Sequence, residues 1–486
     1  MKLSINEDLA QFLSQIRRLA VPNKIWLVGG AVRDLLLGKA VKDLDFVMAD
    51  GSARLAKKVR KHFEGVSYSL DDERQTARVI LRMGEPDELI MDFASFIGEN
   101  LEEDLRQRDF TINSMAVDLD DLNQVYDPLS GMDDLEGKKL RLSCPNSLNN
   151  DPLRVIRLVR MLRTYGLEID SETKELMRIA VKSLDRISGE RIRDELLKCL
   201  KLSDWAETSM LLDESGILKK MLELAGYQPV VADFDLSNER FEESIKILTS
   251  LEKMLDDIKN GNKSSKYVAF LAEKETSEDL FANLDNMLSE PIQAGRSRGQ
   301  LLVLFTLFFS LCYKKSELSS SAVCQEKVTS MICEEFAKKL SQFFVLGAKE
   351  EKYTESVCRG FFSILDLEKL EEVQKLDIYR FFKPIASFGL ESALLQIAIQ
   401  PILDEPEQKT VELSRKIILT WFLDQESVVN PPRLVDGISL QQTLKLKPGP
   451  LMGDYLEAVR EAQVMGAVKT EEEAIEFVKG LMSEVK

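Results

Sequence analysis

The sequence predicts an α+β protein in which a small mixed-sheet head at the N-terminus precedes an entirely helical remainder. Up to about residue 135, short apolar runs typical of strands alternate with amphipathic helical segments. From about residue 150 onward, nearly every segment is rich in Leu, Lys and Glu. A chain of 486 residues also exceeds what one compact core supports, so several domains are expected.

The charge and histidine content narrow the chemistry that is possible. The chain has 65 basic and 82 acidic residues, a net charge of −17, which argues against broad non-specific binding of nucleic acid but allows a local basic cleft. His62 is its single histidine. A histidine-rich metal centre or a histidine-based triad is therefore nearly excluded, and transfer chemistry would have to use carboxylates and metal ions.

The sequence gives no indication of export or membrane insertion. Residues 1–20 have the pattern of an amphipathic helix, without the apolar core of a signal peptide. The longest apolar run, 301–313, is too short to span a bilayer and predicts a buried helix. The six cysteines are scattered without a CxxC pair, as in reduced cytoplasmic proteins. We therefore expect a cytoplasmic protein that does not bind membranes.

The predicted elements of the head follow from period-two apolar patterns and one helical segment. A helix is expected over 52–63, and strands are expected over 24–28, 44–48, 77–83, 88–96 and 114–119.

Two aspartates define the first candidate site. Asp43 and Asp45 are two positions apart on a predicted strand, so their side chains share one face. Two close carboxylates repel each other unless a cation lies between them, and Mg²⁺ is the natural partner of such ligands in phosphate chemistry. For this motif alone, a charged turn at the start of a strand is the simpler interpretation.

The preceding glycines and a third aspartate favour the metal interpretation. Gly29 and Gly30 follow a strand and precede a helix, where the backbone can approach an anion closely. Asp92 lies among apolar neighbours on another predicted strand, where its charge needs a partner. Together these features predict a site for a triphosphate and metal ions.

This arrangement resembles the signature of the polymerase-beta-like nucleotidyltransferase superfamily, and more narrowly that of bacterial (class II) tRNA CCA-adding enzymes and their poly(A) polymerase relatives. The resemblance continues in LEEDLRQRDFTINSMAVDL, residues 101–119. It implies that Arg108, Asp109 and Asn113 bind the triphosphate and select ribose, and Arg33 is a further candidate for nucleotide binding. Where the family has a preceding arginine, this chain has Gln107.

A third block, residues 149–170, resembles the family helix that reads the incoming base. The resemblance implies that Asp151 accepts a hydrogen bond from an exocyclic amino group and that Arg154 donates to ring acceptors, a pattern that fits cytosine and adenine. Asn150 replaces the family's glutamate.

The same block has an apolar stripe with helical spacing and four arginines on its other half. A solvated basic face is the ordinary explanation, but four arginines in so acidic a chain suggest contact with anions. Besides Arg154, we expect Arg157, Arg160 and Arg163 to bind RNA.

The remaining resemblance is weaker and sets the expected domains. Residues 186–200 resemble the family's neck motif and are interpreted as mainly structural, and 431–474 resemble the C-terminal segment of longer members. We expect a catalytic head over 1–140, a helical neck over 141–203, a helical body over 204–425 that is a candidate degenerate HD-like region, and a helical tail over 426–486.

The resemblance implies an enzyme, a Mg²⁺-dependent RNA nucleotidyltransferase with Asp43, Asp45 and Asp92 as catalytic and metal-binding residues. It would add CMP and/or AMP from CTP and ATP to the tRNA 3′ end and release pyrophosphate. Alternatives are a poly(A) polymerase and a catalytically idle RNA-binding or nucleotide-sensing relative. Only residues 97–100 separate the predicted strand of Asp92 from the 101–119 block, which resembles relatives that add only the two cytidines.

Overall fold

The computed structural model describes residues 1–71, 75–85, 87–226, 238–271, 280–293, 295–312, 323–400, 408–445 and 449–484. These residues form two compact units, one of residues 1–199 with 211–220 and one of residues 200–210 with 221–486. The first unit covers the expected head and the expected neck up to residue 199, together with residues 211–220 of the expected body. The second unit covers the rest of the expected body and the expected tail.

The first unit contains a seven-stranded mixed sheet. Strands β2 and β5 are parallel and the other neighbouring pairs are antiparallel. The strand order is β3-β4-β5-β2-β1-β6-β7. The strands are β1 (Trp26–Val28), β2 (Asp43–Met48), β3 (Val66–Asp71), β4 (Thr76–Leu81), β5 (Leu89–Ser95), β6 (Ala116–Asp118) and β7 (Val125–Tyr126).

The two faces of this sheet have different environments. Phe46 and Phe93 are buried on one face, with ring centroids 5.1 Å apart. Because side chains alternate along a strand, their neighbours Asp45 and Asp92 lie on the opposite face. The sheet therefore presents its carboxylates on the face that does not bury these phenylalanines.

Helices cover the sheet and extend the first unit toward its neck. They are α1 (Glu7–Ala20), α2 (Gly30–Leu36), α3 (Ser52–His62), α4 (Leu101–Arg106), α5 (Gly131–Glu136), α6 (Ser147–Asn150), α7 (Arg154–Tyr165), α8 (Ser171–Val181) and α9 (Gly189–Cys199). Helix α7 buries Val155, Leu158 and Val159 completely, which confirms the apolar stripe predicted from the sequence.

The second unit is built around one large apolar core of helices. Two helices lie partly in each unit, α10 (Trp205–Glu214) and α11 (Ile217–Leu224). The helices that lie wholly in the second unit are α12 (Asn238–Asn260), α13 (Leu280–Ser289), α14 (Arg298–Cys312), α15 (Val323–Phe343), α16 (Ala348–Glu368), α17 (Lys375–Ile385), α18 (Gly389–Ala398), α19 (Gln408–Leu423), α20 (Gly437–Leu444), α21 (Pro450–Val464) and α22 (Glu471–Glu484).

The structure confirms the α+β class and corrects parts of the expected element pattern. Strands β3 and β7 were not predicted, because exposed residues interrupt the apolar alternation in these short edge segments. The remainder is not entirely helical, since β8 (Pro291–Gln293) and β9 (Arg296–Ser297) form a small hairpin. Helix α14 buries most of the long apolar run. Within the described residues, no helix is long and apolar enough to cross a membrane.

Candidate active site

The three predicted carboxylates lie on one face of the sheet. Asp45 in β2 is the register partner of Asp92 in β5, and Asp43 is two residues before Asp45 on the same strand. Burial is the main effect that raises the pKa of Asp45; Arg108 opposes the rise, whereas Asp92 and Asp43 add to it. Carboxylate oxygens are the donors that a divalent metal ion prefers, and a cation near these three residues would relieve this repulsion.

Arg78 is a member of this site that the sequence did not reveal. It is the register partner of Asp92 on β4. Its Nε donates to Asp92 Oδ1 at 2.8 Å and its Nη2 donates to Asp92 Oδ2 at 2.7 Å. Within the described part of the chain, no three His, Cys, Asp or Glu side chains converge closely enough to hold a metal ion. In this structure both carboxylate oxygens of Asp92 instead accept hydrogen bonds from Arg78.

The glycine pair lies directly beside the carboxylates. Gly29 has a φ of +74° and precedes α2. A Cβ atom at this position would lie 2.8 Å from Arg108 Nη1 and 3.3 Å from Asp45 Oδ2. The left-handed backbone conformation therefore favours glycine here, and a larger residue would also displace the Arg108 guanidinium.

The 101–119 block places its polar residues against the carboxylates and the neck. Arg108 Nη2 donates to Asp104 Oδ2 at 3.1 Å, while Asn113 Nδ2 donates to Asp109 Oδ1 at 3.0 Å. Burial opposes ionisation of Asp109, but Arg157, Asn113 and the more distant Arg154 outweigh it and lower the pKa of Asp109. Asp109 is therefore held as a buried carboxylate.

Arg33 connects the glycine helix to this block. It is 6% exposed, its Nη1 donates to Asn113 Oδ1 at 2.5 Å, and its Nε donates to Asp34 Oδ1 at 3.0 Å. Its guanidinium lies over the Tyr165 ring, 4.3 Å from the centroid. Arg33 is therefore almost fully engaged by protein groups and fixes the orientation of the Asn113 side chain.

The two predicted base-reading residues are held differently. Arg154 donates to the carbonyl oxygen of Gln107 at 2.7 Å and to that of Arg108 at 3.1 Å, which ties α7 to the 101–119 block. Asp151 Oδ2 accepts a 2.8 Å hydrogen bond from Arg191 Nη2 in α9. Residues 186–200, interpreted from sequence as mainly structural, thus also contact a candidate specificity residue.

Two of the other α7 arginines are paired with buried carboxylates and do not form the solvated basic face that was the ordinary alternative. Arg157 Nη2 lies 2.7 Å from Asp109 Oδ2, and Arg160 Nε lies 2.5 Å from Glu195 Oε1. Both line the same pocket as the carboxylates. The Asp109 and Glu195 carboxylates are buried and need positively charged partners, which explains why these arginine side chains turn toward them. Arg163 is part-buried and is not among the lining residues.

One pocket of the first unit joins all the other predicted site residues. Its lining includes residues of the glycine pair, the three carboxylates, the 101–119 block and α7. Two buried polar atoms in it, Asp109 Oδ2 and Arg157 Nε, have no aligned hydrogen bond among the described residues. The pocket therefore combines a place for cations with basic and amide donors suited to a phosphorylated, polar ligand.

Three family models match successive parts of the chain. The poly A polymerase head domain matches residues 25–141, the "Probable RNA and SrmB- binding site of polymerase A" matches residues 166–226, and tRNA nucleotidyltransferase domain 2 matches residues 349–478.

Two curated relatives align with almost the whole of this chain, and both are tRNA nucleotidyltransferases. A CC-adding tRNA nucleotidyltransferase from Synechocystis sp. is 24% identical over 95% of this chain and 94% of its own length. An A-adding tRNA nucleotidyltransferase from Deinococcus radiodurans is 27% identical over 93% of this chain and 94% of its own length. A CCA-adding enzyme solved with CTP shares the fold, with a TM-score of 0.63 and 20% identity over 99% of this chain and 96% of that chain. Along most of its length this chain is therefore similar to tRNA nucleotidyltransferases, and its N-terminal part matches the poly A polymerase head domain.

Proposed function

We propose that this chain is a tRNA nucleotidyltransferase that transfers CMP from CTP to the tRNA 3′ end without a nucleic-acid template and releases pyrophosphate. The observation that carries this proposal is the single pocket in which three carboxylates, a glycine pair, the 101–119 block and the start of α7 meet. The matched family models and the full-length relatives support it.

Divalent ions are general in nucleotidyltransferases of this kind, and we propose Mg²⁺ here, held by Asp43, Asp45 and Asp92. Such ions would activate the RNA 3′-hydroxyl and neutralise charge on the leaving pyrophosphate. The chain's own groups then have distinct tasks. Gly29 and Gly30 let the backbone approach the triphosphate, and Arg108 adds a positive charge beside it.

The buried Asp109–Asn113 pair is the candidate sugar-binding group. Asp109 is kept ionised by its arginine neighbours, and a carboxylate can accept a hydrogen bond from a ribose hydroxyl. Arg33 fixes the orientation of Asn113 by donating to its carbonyl oxygen. These contacts favour a ribonucleotide because a deoxyribose lacks the 2′ hydroxyl.

Base choice is assigned to Asp151 and Arg154. A carboxylate oxygen of Asp151 can accept from the exocyclic amine of cytosine or adenine, and the guanidinium of Arg154 can donate to ring acceptors. Uracil and guanine do not present this combination of donor and acceptors in the same arrangement. The site therefore selects CTP and ATP over UTP and GTP.

The connection between β5 and α4 supports CC addition over complete CCA addition. It contains five residues, 96–100, and it is fastened at both ends. The Ile97 N–H donates to Asp104 Oδ1 at 3.0 Å, and the Asn100 side chain caps α4 by accepting from Glu103 N–H at 3.0 Å. A short, anchored segment leaves little chain to reshape the pocket from cytosine to adenine.

The test is incubation of the purified protein with tRNA that ends before CCA, with CTP and ATP supplied singly and together. We expect two cytidines from CTP, no further residue when ATP is added, and no product from UTP or GTP. Sequencing of the 3′ ends gives the readout. Asp45→Asn should abolish addition, while the matched variant Asp50→Asn, on an exposed residue outside the pocket, should retain it.

The A-adding relative from Deinococcus radiodurans makes addition of a single A the second candidate. A tRNA substrate that already ends in CC separates the two. Incorporation of one adenosine into that substrate, without use of CTP on the shorter one, would replace our proposal with A addition. A ladder of adenosines would instead indicate poly(A) tailing.

We also propose a cytoplasmic location. Cys199 and Cys358 are buried thiols that form no disulfide bond. Reduced, buried cysteines are typical of proteins in a reducing compartment.

A further inference from the structure

The carboxylate face of the sheet has a row of side chains that crosses four strands. Tyr68, Arg78, Asp92 and Asp45 are successive register partners on β3, β4, β5 and β2. Register partners in adjacent strands point to the same side of a sheet. The Arg78 guanidinium therefore lies directly beside Asp92, the third carboxylate of the proposed metal site.

The ion pair between Arg78 and Asp92 uses both oxygens of the carboxylate. The two hydrogen bonds, at 2.8 and 2.7 Å, have the fork geometry that makes arginine–carboxylate pairs strong and directional. The Arg78 side chain is 33% exposed and that of Asp92 is 24% exposed, so the pair is partly shielded from water.

Within the described part of the chain, Asp45 forms no ion pair like the one that Arg78 makes with Asp92. Arg108, which lies near Asp45 beside Gly29, already donates to Asp104 Oδ2 at 3.1 Å. Charge compensation on this face is therefore uneven: Asp92 is neutralised by a protein side chain, whereas Asp45 still requires a cation. A divalent ion bound by all three carboxylates would have to share the Asp92 oxygens with Arg78, whose positive charge opposes the approach of the ion.

We propose that Arg78 is a positioning residue that holds Asp92 and competes with the divalent ion for this carboxylate. In the free protein, the ion pair keeps the third ligand ordered and lowers the affinity for metal. When a nucleotide brings its own phosphate charge, Arg78 can release Asp92, because the phosphates offer an alternative anion in the same pocket. Metal and nucleotide would thereby bind with positive coupling. This inference rests on the proposed metal site.

The experiment measures Mn²⁺ binding to the nucleotide-free protein by the electron paramagnetic resonance signal of free Mn²⁺. Arg78→Gln should bind Mn²⁺ about fivefold more tightly than the unaltered protein, as expected for loss of a partly exposed ion pair. Arg78→Lys, which keeps the charge but loses the fork, should lie between the two. Arg54→Gln, which removes an exposed arginine outside the pocket, is the matched control and should leave the affinity unchanged.

A double-variant cycle shows whether the effect acts through Asp92. In an Asp92→Asn background, Arg78→Gln should no longer tighten Mn²⁺ binding. If Arg78→Gln increases the Mn²⁺ affinity by the same factor in the Asp92→Asn background, Arg78 acts through its charge on the whole site and not through Asp92, and the proposal is wrong. Unchanged or weaker Mn²⁺ binding by Arg78→Gln alone would also overturn it. If Arg78→Gln does not fold, as judged by circular dichroism, Arg78→Lys decides by the same criteria.

The effect of CTP on the Mn²⁺ affinity is a second measurement, and it would not depend on Arg78 if the ion pair were purely structural. CTP should increase the Mn²⁺ affinity of the unaltered protein by a larger factor than that of Arg78→Gln, and equal factors would overturn the proposal. Failure of the metal site itself has a different signature. Mn²⁺ binding that survives in Asp43→Asn/Asp45→Asn would refute the proposed site, and the role of Arg78 with it.

Discussion

Asp45 combines burial with two neighbouring carboxylates, and its ionisation therefore has a cost in the metal-free protein. Because its pKa in the folded state lies above the ordinary value, ionised Asp45 destabilises the fold above that pKa, and the penalty disappears as the pH falls through it. We expect Asp45→Asn to raise the Tm of the metal-free protein at neutral pH. The gain over the unaltered protein should shrink toward acidic pH.

Differential scanning fluorimetry across pH, with and without Mg²⁺, measures this effect. Adding Mg²⁺ should raise the Tm of the unaltered protein more than that of Asp45→Asn, since binding to the folded state stabilises it. Asp50→Asn, on an exposed residue, serves as the control. A gain that is constant across pH would contradict the assigned cause.

Arg191 is a second residue with a testable role in the pocket. Its hydrogen bond to Asp151 Oδ2 leaves the other oxygen, Oδ1, facing the Leu153 N–H at 3.3 Å. Arg191→Met would free the carboxylate to rotate away from the base. We expect discrimination between CTP and UTP, measured as the ratio of kcat/KM values, to fall about threefold. The exposed Arg186→Met should leave the ratio unchanged, and an unchanged ratio in Arg191→Met would assign Arg191 to structure alone.

At the scale of elements, helices α7 and α9 are joined by a buried ion pair. Glu195 is 5% exposed in its side chain and Arg160 is 21% exposed. Glu195→Ala would leave Arg160 partly buried without this carboxylate. We expect a loss of about 2 kcal/mol in the free energy of unfolding, from urea denaturation. Glu175→Ala, which removes an exposed partner of Arg178 at 3.9 Å, should cost less than about 0.5 kcal/mol. Equal losses would refute the claim that burial makes the difference.

Sequence reasoning could place features that depend on local spacing. The strand, the glycine pair, the helix and the aspartate pair lie within residues 26–48, where period-two alternation and the need for glycine are visible in the chain itself. The register of Asp45 with Asp92 also agrees with one shared face. The resemblance to a known family supplied the order of the later blocks.

What the sequence did not reveal depends on contacts between distant elements. Arg78 belongs to the site only because β4 pairs with β5 in one register, and residues 76–81 alone give no sign of that partner. The spacing in α7 separated apolar from basic residues correctly. It could not show that Arg157 and Arg160 would meet the buried carboxylates Asp109 and Glu195.

At the scale of the whole molecule, the net charge of −17 sets a strong constraint on RNA binding. An acidic protein repels a polyanion over most of its surface, so productive binding requires a restricted set of basic residues. Since several α7 arginines are already paired within the pocket, the path for RNA phosphates must include other cations. Lys138 and Lys139 are exposed on the segment that leads from the head into the neck.

We therefore expect tRNA affinity to decline steeply with salt and to depend on these two lysines. Removing one lysine that binds a phosphate should reduce the slope of log Kd against log salt by about 0.7 to 0.9. Lys138→Gln/Lys139→Gln should weaken tRNA binding and lower the slope by up to about 1.8 if both lysines bind phosphates. Lys57→Gln/Lys61→Gln, which removes two exposed lysines from α3, changes the net charge equally. If both double variants shift the slope by the same amount, the effect reflects net charge, and no local path through Lys138 and Lys139 exists.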